Sequence, residues 1–392
     1  MRGVAMKLLR LPKSKVQIGA PLPWNVRDEQ TRLLLSRGHV IQSEAQLDAL
    51  LERGAWVDIE EARSAGHLHV AAESSSVAVP RLQNLFDLWG QSADEMRKLM
   101  AKEPHTPDLP TRVAEFTAWL IELVDKDPDI ALYHCVRQDS AHVIYYGYDH
   151  SIHTAILCLL LARRLQWPQP RTMSLVKAAI TMNMPILELQ GKMADQEGPM
   201  RGSQKVLIRG HPQEAADWLA QAGVSDEDWL TAVAQHHERP DGSGYPNGLT
   251  EVADIAVALR VSDVFMAKIS PRKLRPSLPI QDAAKQLYRE DHGGAISTAV
   301  IKEFGIYPPG DVVKLACGET GVVMRRTGHV KCPLVAAITD AAGRPTVHTA
   351  QRDTSQPEYA IVANVADKSL VARMPPERVY GYASASPKAV AP

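Results

Sequence analysis

Apolar residues in the middle of the chain return at helical spacing. In 149–165 they fall at Ile152, Ile156, Leu159, Leu160 and Leu165, the three-and-four rhythm of a helix with one buried face. Pro110–Asp127 repeats it with Val113, Phe116, Leu120 and Val124, and Pro128–Cys135 reads as a shorter helix. Further helices are predicted over 171–184, 204–222, 225–237, 253–268, 279–289 and 293–304. End signals punctuate them. Ser92 with Asp94 and Glu95 reads as an N-cap and an acidic first turn, and Ser225-Asp226-Glu227-Asp228 as a capping box. Pro212 falls inside 204–222 and predicts a kink or a restart there. The polar, glycine-containing segment 190–203 predicts a loop.

The two ends carry a different rhythm. Lys15–Gly19 alternates like a short strand, 22–26 and 33–38 read as strand-and-turn pieces, and Ser43 caps a helix that Gly54 stops. Asp58, Glu60 and Glu61 read as a solvated acidic face, and Ala71–Pro80 as a linker. Residues 305–341 switch to period-two alternation with glycine turns, which predicts a small β unit. Residues 342–392 are rich in Pro, Ala and Ser with two or three strand-like runs, and the last ten are expected to be disordered. The expected plan is therefore a small N-terminal module (1–75), lead-in helices (76–144), a helical domain (145–307), a β-rich unit (308–380) and a tail (381–392). The fold class is mainly α, with a small α/β or β unit before the helices and a small β unit after them.

Composition narrows the function. A net charge of −1 over 392 residues leaves no footprint for nucleic acid. Cys135, Cys158, Cys317 and Cys332 lack paired zinc spacing and read as buried free thiols in a reducing cytoplasm. The first fifteen residues hold no apolar stretch of signal-peptide length, and the longest apolar run, near 155–162, is too short to span a bilayer. No membrane partner and a cytoplasmic location are the expectation.

The chemistry concentrates at His236-His237-Glu238-Arg239-Pro240-Asp241-Gly242-Ser243-Gly244-Tyr245-Pro246. Successive side chains on a helix point about 100° apart. Both imidazoles can therefore reach one point only at a helix end or in a dense metal cluster. Gly242 and Gly244 allow positive φ and close backbone approach, and Pro246 stiffens the exit.

This string resembles the second signature of the HD-GYP family, the cyclic di-GMP phosphodiesterases among the HD metal-phosphohydrolases. The resemblance covers roughly residues 145–307 and implies an HD-type helical bundle. The stretch Asp149–Leu165 (DHSIHTAILCLLLARRL) resembles the family's first motif, with His150 as a metal ligand and His153 where no ligand is usual. His211, before Pro212, resembles the mid-domain metal histidine, and Asp263 the last metal carboxylate. The implied metal set is His150, His211, His236, His237 and Asp263, with His236, His237 and Asp263 catalytic. Arg272, Arg275 and Tyr245 stand where the substrate is bound.

The match has gaps. Tyr146 stands where a Glu would hold a third metal. Met182 and Asn183 replace the His-Asp doublet, Ile186 a phosphate-contacting Lys, and Met266 a second Asp. Asn183 offers one neutral carbonyl oxygen and cannot bridge two cations as a carboxylate does. Met182 and Ile186 read as core packing. The resemblance implies a divalent cofactor, iron or manganese, as one or two ions, or none if the doublet is decisive. It implies hydrolysis of cyclic di-GMP to pGpG or GMP, weakened by the missing doublet. The alternative is an inactive domain that senses cyclic di-GMP or docks a regulatory protein through its glycine-tyrosine-proline loop. A homodimer is compatible with the family.

Overall fold

The computed structural model describes residues 8–11, 16, 18–28, 30, 32–52, 54–58, 85–138, 145–273, 275–365, 371 and 374–381. The chain divides into two units, Met1–Arg81 and Leu82–Pro392.

In the first unit, strands β1 (Leu8–Arg10), β2 (Val26–Arg27), β3 (Leu33–Leu35) and β4 (Trp56–Asp58) form an antiparallel sheet in the order β1-β4-β2-β3. Helix α1 (Glu44–Glu52) is capped as its sequence suggests, with Ser43 Oγ accepting from the Gln46 N–H at 3.2 Å. Leu22, Trp24, Val26, Ile41, Leu47 and Val57 make its core. The strand expected at Lys15–Gly19 is not where the sheet begins. Ile18 and Gly19 lie in a turn, and Leu8–Arg10 supplies the strand. Glu60, Glu61, the 71–80 linker and the last eleven residues lie outside the described residues.

The second unit is mainly α. Its helices are α2 (Leu85–Met100), α3 (Leu109–Lys126), α4 (Pro128–Val136), α5 (Tyr146–Arg164), α6 (Gln169–Thr181), α7 (Leu187–Ala194), α8 (Gly202–Gln221), α9 (Glu227–Gln235), α10 (Asp254–Ile269), α11 (Ile280–Glu290) and α12 (Ala295–Phe304). A short turn of 3-10 helix, Met184–Ile186, links α6 to α7. Helix α5 is the axis, and α2, α6, α7, α10 and α12 all pack on it. The apolar stripe predicted one buried face, yet α5 is buried all round. Thr154 is accommodated there by bonding back to the helix, its Oγ1 donating to the His150 carbonyl at 2.7 Å. Gly147 lets α7 approach: a Cβ at that position would lie 2.4 Å from the Leu187 carbonyl oxygen.

Several local expectations change. Ser92 does not open a helix. It sits inside α2, buried, and donates to the Trp89 carbonyl at 2.7 Å. The segment expected as a loop at 190–203 begins inside α7. Helix α8 continues through Pro212 as one element. In place of a capping box, Asp226 alone caps α9, accepting from the Trp229 N–H at 3.1 Å. Cys135 and Cys158 are buried, but Cys317 and Cys332 are only half-buried.

The C-terminal strands β5 (Val312–Leu315), β6 (Thr320–Arg325), β7 (Leu334–Thr339), β8 (Pro345–Asp353) and β9 (Ile361–Asn364) form an antiparallel sheet ordered β8-β7-β6-β5-β9. A short helix, α13 (Pro376–Val379), follows. Val312, Val322, Met324, Ala336 and Ile338 join the helical core, so one face of the sheet is a wall of the bundle. Ion pairs close the seam. Arg325 reaches Asp127 at 2.6 Å, and Arg326 reaches Asp129 at 2.6 Å and Glu303 at 2.7 Å. Asp127 meanwhile caps α4 through the Asp129 and Ile130 N–H groups.

Arg326→Ala strips two carboxylates of their shared cation. Its side chain is about three-quarters covered, so a loss of about 2–3 kcal/mol is expected in urea unfolding. An unchanged midpoint would show the seam to be ornamental.

Candidate metal centre

His211 lies in α8, and its setting depends on Pro212. A proline nitrogen carries no hydrogen, so the carbonyl four residues back, that of Ile208, loses its helical donor. The His211 ring takes the vacancy, with Nδ1 2.6 Å from the Ile208 oxygen. His236 is set in the same way at the end of α9. Its Nδ1 lies 2.7 Å from the Val233 carbonyl, one of the last carbonyls of a helix that ends at Gln235.

A carbonyl only accepts, so each Nδ1 carries the proton and each Nε2 presents a lone pair. Those two Nε2 atoms face one another at 3.1 Å. Two lone pairs cannot hydrogen-bond. A cation between them, a proton or a metal ion, resolves the contact. Burial opposes the proton: it pushes His211 down to about 3 and lowers His236, with Asp263 pulling the other way. The donor set therefore fits a metal ion. His237 completes it, and the ligand atoms of His211, His236 and His237 all lie within 4.8 Å of one another.

The loop after the histidines is built to hold them. Tyr245 stacks on His237, centroids 4.5 Å apart, and its N–H donates to the His237 carbonyl at 3.2 Å. Glu238 is fully buried and accepts from the N–H groups of Asn247 (2.7 Å) and Leu249 (3.0 Å). Gln235 ties down the far end by accepting from the Ala253 N–H at 3.0 Å. Gly242 adopts φ +73°. Gly244 needs no positive φ. A Cβ there would lie 2.5 Å from both the Arg239 nitrogen and the Glu238 Cα, so only glycine lets the loop close on its own start.

His150 and Asp263 form a separate buried pair, Nε2 to Oδ1 2.6 Å. Burial alone would raise the Asp263 carboxyl. The His150 hydrogen bond and electrostatic interactions with His150, His237 and His236 outweigh it, holding the group below the usual carboxylate range. Asp263 also acts on His211, so its charge reaches all four histidines.

The remaining predicted residues fall elsewhere. Tyr146 stacks on His150 (5.6 Å, 7°) and accepts at its hydroxyl from Arg272 Nε at 3.0 Å. Arg272 is thus engaged with a side chain of the chain itself. Arg275 donates to the Ala267 carbonyl and is exposed. Met182, Met266 and Ile186 are buried, the two methionines in the main core. Asn183 is buried, and its Nδ2 has no hydrogen-bond partner among the described residues. Sequence reading missed Glu238, Gln235 and the service of Pro212. A carboxylate just before a glycine loop was the available signal for the first.

Residues 130–293 match the family described as HD domain. The matched span includes the three histidines and the Asp241–Pro246 string. It is similar to a cyclic di-GMP phosphodiesterase of Pseudomonas aeruginosa, 30% identical over 195 residues, 47% of this chain and 45% of that protein. It is also similar to 3'3'-cGAMP-specific phosphodiesterase 1 of Vibrio cholerae, 25% identical over 157 residues, 40% of this chain and 36% of the other. The chain thus spans less than half the length of the curated relatives it matches. Among solved structures, an HDG"Y"P protein of Bdellovibrio bacteriovorus aligns with TM-score 0.42 and 14% identity, over 75% of this chain and 98% of its own. No helix among the described residues is long and apolar enough to cross a membrane.

Two outcomes follow. The folded chain keeps His211, His236 and His237 neutral below the ordinary 6.5, while the unfolded chain protonates them there. Metal-stripped protein should therefore be fully stable above about 6.5. It should lose stability steadily as pH falls toward 4. Urea midpoints that stay flat from pH 7.5 to 5 would contradict this. Glu238→Ala should cost about 3 kcal/mol and speed amide exchange at Asn247 and Leu249, read by hydrogen-exchange mass spectrometry.

Proposed function

We propose that this chain is a metal-dependent phosphodiesterase of the HD class that acts on a cyclic dinucleotide, cyclic di-GMP first, through a centre reduced to its three-histidine site. The observation that carries this reading is the pair of Nε2 lone pairs facing one another beside His237. The likeness to cyclic di-GMP and cGAMP phosphodiesterases over the same stretch supports the substrate class.

His211, His236 and His237 would hold one divalent ion, iron or manganese. When bound, the ion supplies Lewis acidity toward a phosphoryl oxygen. The chain's own residues do the rest. Carbonyl-anchored rings keep the His211 and His236 nitrogens aimed at one point before any substrate arrives, and the Tyr245 ring packs on His237. Tyr245 shields one face of His237 from water. Asp263 takes the His150 proton in a hydrogen bond and sets a negative charge behind the imidazoles. Arg275, which is exposed, would supply the cation that meets a phosphate. Asn183, neutral where a carboxylate would bridge, withholds the charge a second ion needs. Turnover is therefore slow relative to a two-ion centre, and the products are pGpG or GMP. The domain limits at 145 and 307, a cytoplasmic site of action and a homodimer belong to the same reading.

A second reading is favoured by one contact. Arg272, the other phosphate-facing arginine, is held by Tyr146, which suits a domain that binds the dinucleotide without cutting it or docks a partner through the loop. One experiment separates the readings. Purified protein is assayed for metal by mass spectrometry and for cyclic di-GMP turnover, alongside Met182→His with Asn183→Asp. The enzyme reading expects about one ion per chain, slow turnover abolished by His236→Ala, and a gain of tenfold or more in the doublet variant. Metal-free protein that binds the dinucleotide without cutting it would replace that reading with the sensor.

A further inference from the structure

The three-histidine site is covered unevenly. His211 and His236 are buried, whereas His237 and Tyr245 are only partly covered. The accessible edge of the site is therefore the one that His237 and Tyr245 share. Arg209, a residue of α8 outside the motifs that carry the family resemblance, stands at that edge. Its guanidinium carbon lies 5.5 Å from the Tyr245 ring centre, and that ring is stacked 4.5 Å from His237. The two steps keep the guanidinium within about 10 Å of the His237 ring, close enough for one ligand to touch both.

The surroundings of Arg209 carry one sign of charge. Between Glu197 and Glu214 the chain holds Arg201, Lys205 and Arg209 and no acid. All three cations are exposed, and Lys205 and Arg209, four residues apart on α8, share a face. No carboxylate pairs with Arg209 among the described residues. The other arginines of the region are occupied. Arg272 is held by Tyr146, Arg275 donates to the Ala267 carbonyl, and Arg239 has the Asp241 carboxylate as an electrostatic neighbour. A cation–π contact positions the Arg209 guanidinium without a hydrogen-bond acceptor, so its donors stay available to a ligand. A guanidinium fork in that condition suits phosphate oxygens, which it meets with two parallel N–H bonds.

We infer that Arg209 is a substrate-binding residue. It holds the second phosphodiester of a cyclic dinucleotide, the one that is not cut, while the ion takes the first. This rests on the phosphodiesterase reading of the site, and it adds a residue that selects ligands with two phosphates over ligands with one. Lys205, one turn back along α8, extends the positive track outward.

The test measures binding of cyclic di-GMP and of GMP to the manganese-loaded full-length chain by calorimetry in the cold, with turnover followed in the same samples. Arg209→Ala and Arg209→Lys are compared with the parent. Arg209 is exposed, so both variants should fold with the parent's Tm and manganese content. Arg209→Ala is expected to weaken cyclic di-GMP about tenfold and to make the remaining binding less sensitive to added salt, with GMP shifted less than about twofold. Arg209→Lys, which keeps the charge and loses the fork, should fall between. Equal affinity for cyclic di-GMP in the parent and Arg209→Ala overturns the inference. So does an equal loss for both ligands, which would make Arg209 a prop for Tyr245. Binding without turnover in the parent removes the enzyme reading alone, and the affinity of Arg209→Ala still decides the inference. A parent that binds no cyclic di-GMP overturns the inference and the reading together.

Discussion

Two lone pairs held 3.1 Å apart are the constraint on which the helical domain turns. The contact is unfavourable on its own, and the chain holds it by satisfying the opposite side of each ring. Pro212 frees one carbonyl and the end of α9 frees another, and each fixes an imidazole tautomer. Much of the surrounding architecture maintains this arrangement. Trp229 bonds Thr181 across α9 and α6 at 2.8 Å, so the helix that delivers His236 is tied to the turn that carries Met182 and Asn183. Glu238 binds the loop to the same helix end. Orientation of the imidazoles is thus settled by protein contacts, and a cation finds the nitrogens already aimed.

The unusual residues of the site share a physical theme. Each is neutral or self-satisfied. Met182 and Met266 are core, Asn183 carries a polar group without a carboxylate's charge, and Tyr146 offers a ring to His150 and a hydroxyl to Arg272. Together they lower the negative charge available to hold several cations. The neutral three-imidazole set needs less of it. In the one-ion centre proposed above, Asp263 would supply the counter-charge, whereas two or three ions would leave positive charge uncompensated in a buried place.

Sequence carried the helices and the histidines well because both depend on local spacing. The apolar rhythm of α3 and α5 is set by which side faces the core, and the adjacent His236 and His237 with their glycine loop mark a helix end. What escaped was set by distant partners. Ser92 looks like a cap because a serine bonding back to a carbonyl three residues earlier inside a helix has the same sequence appearance as one opening it. The start of α7 is stabilised by lying on Gly147, a contact no local pattern contains. Glu238 left only the hint of a carboxylate ahead of a glycine loop, since its partners are backbone groups nine and eleven residues away. Pro212 was legible as a helix irregularity, but its consequence lies in the ring beside it.

The seam between the C-terminal sheet and the helices bears on how this protein can be divided. Asp127, Asp129 and Glu303 are nearly covered, and Arg325 and Arg326 of the sheet supply much of their counter-charge. A recombinant fragment ending before the first strand of that sheet would retain every imidazole of the metal centre. It would also expose an apolar wall and strand three acids against one another, with Arg164 alone left to answer Glu303. The β unit therefore behaves as a lid screwed onto the bundle rather than as a detachable passenger.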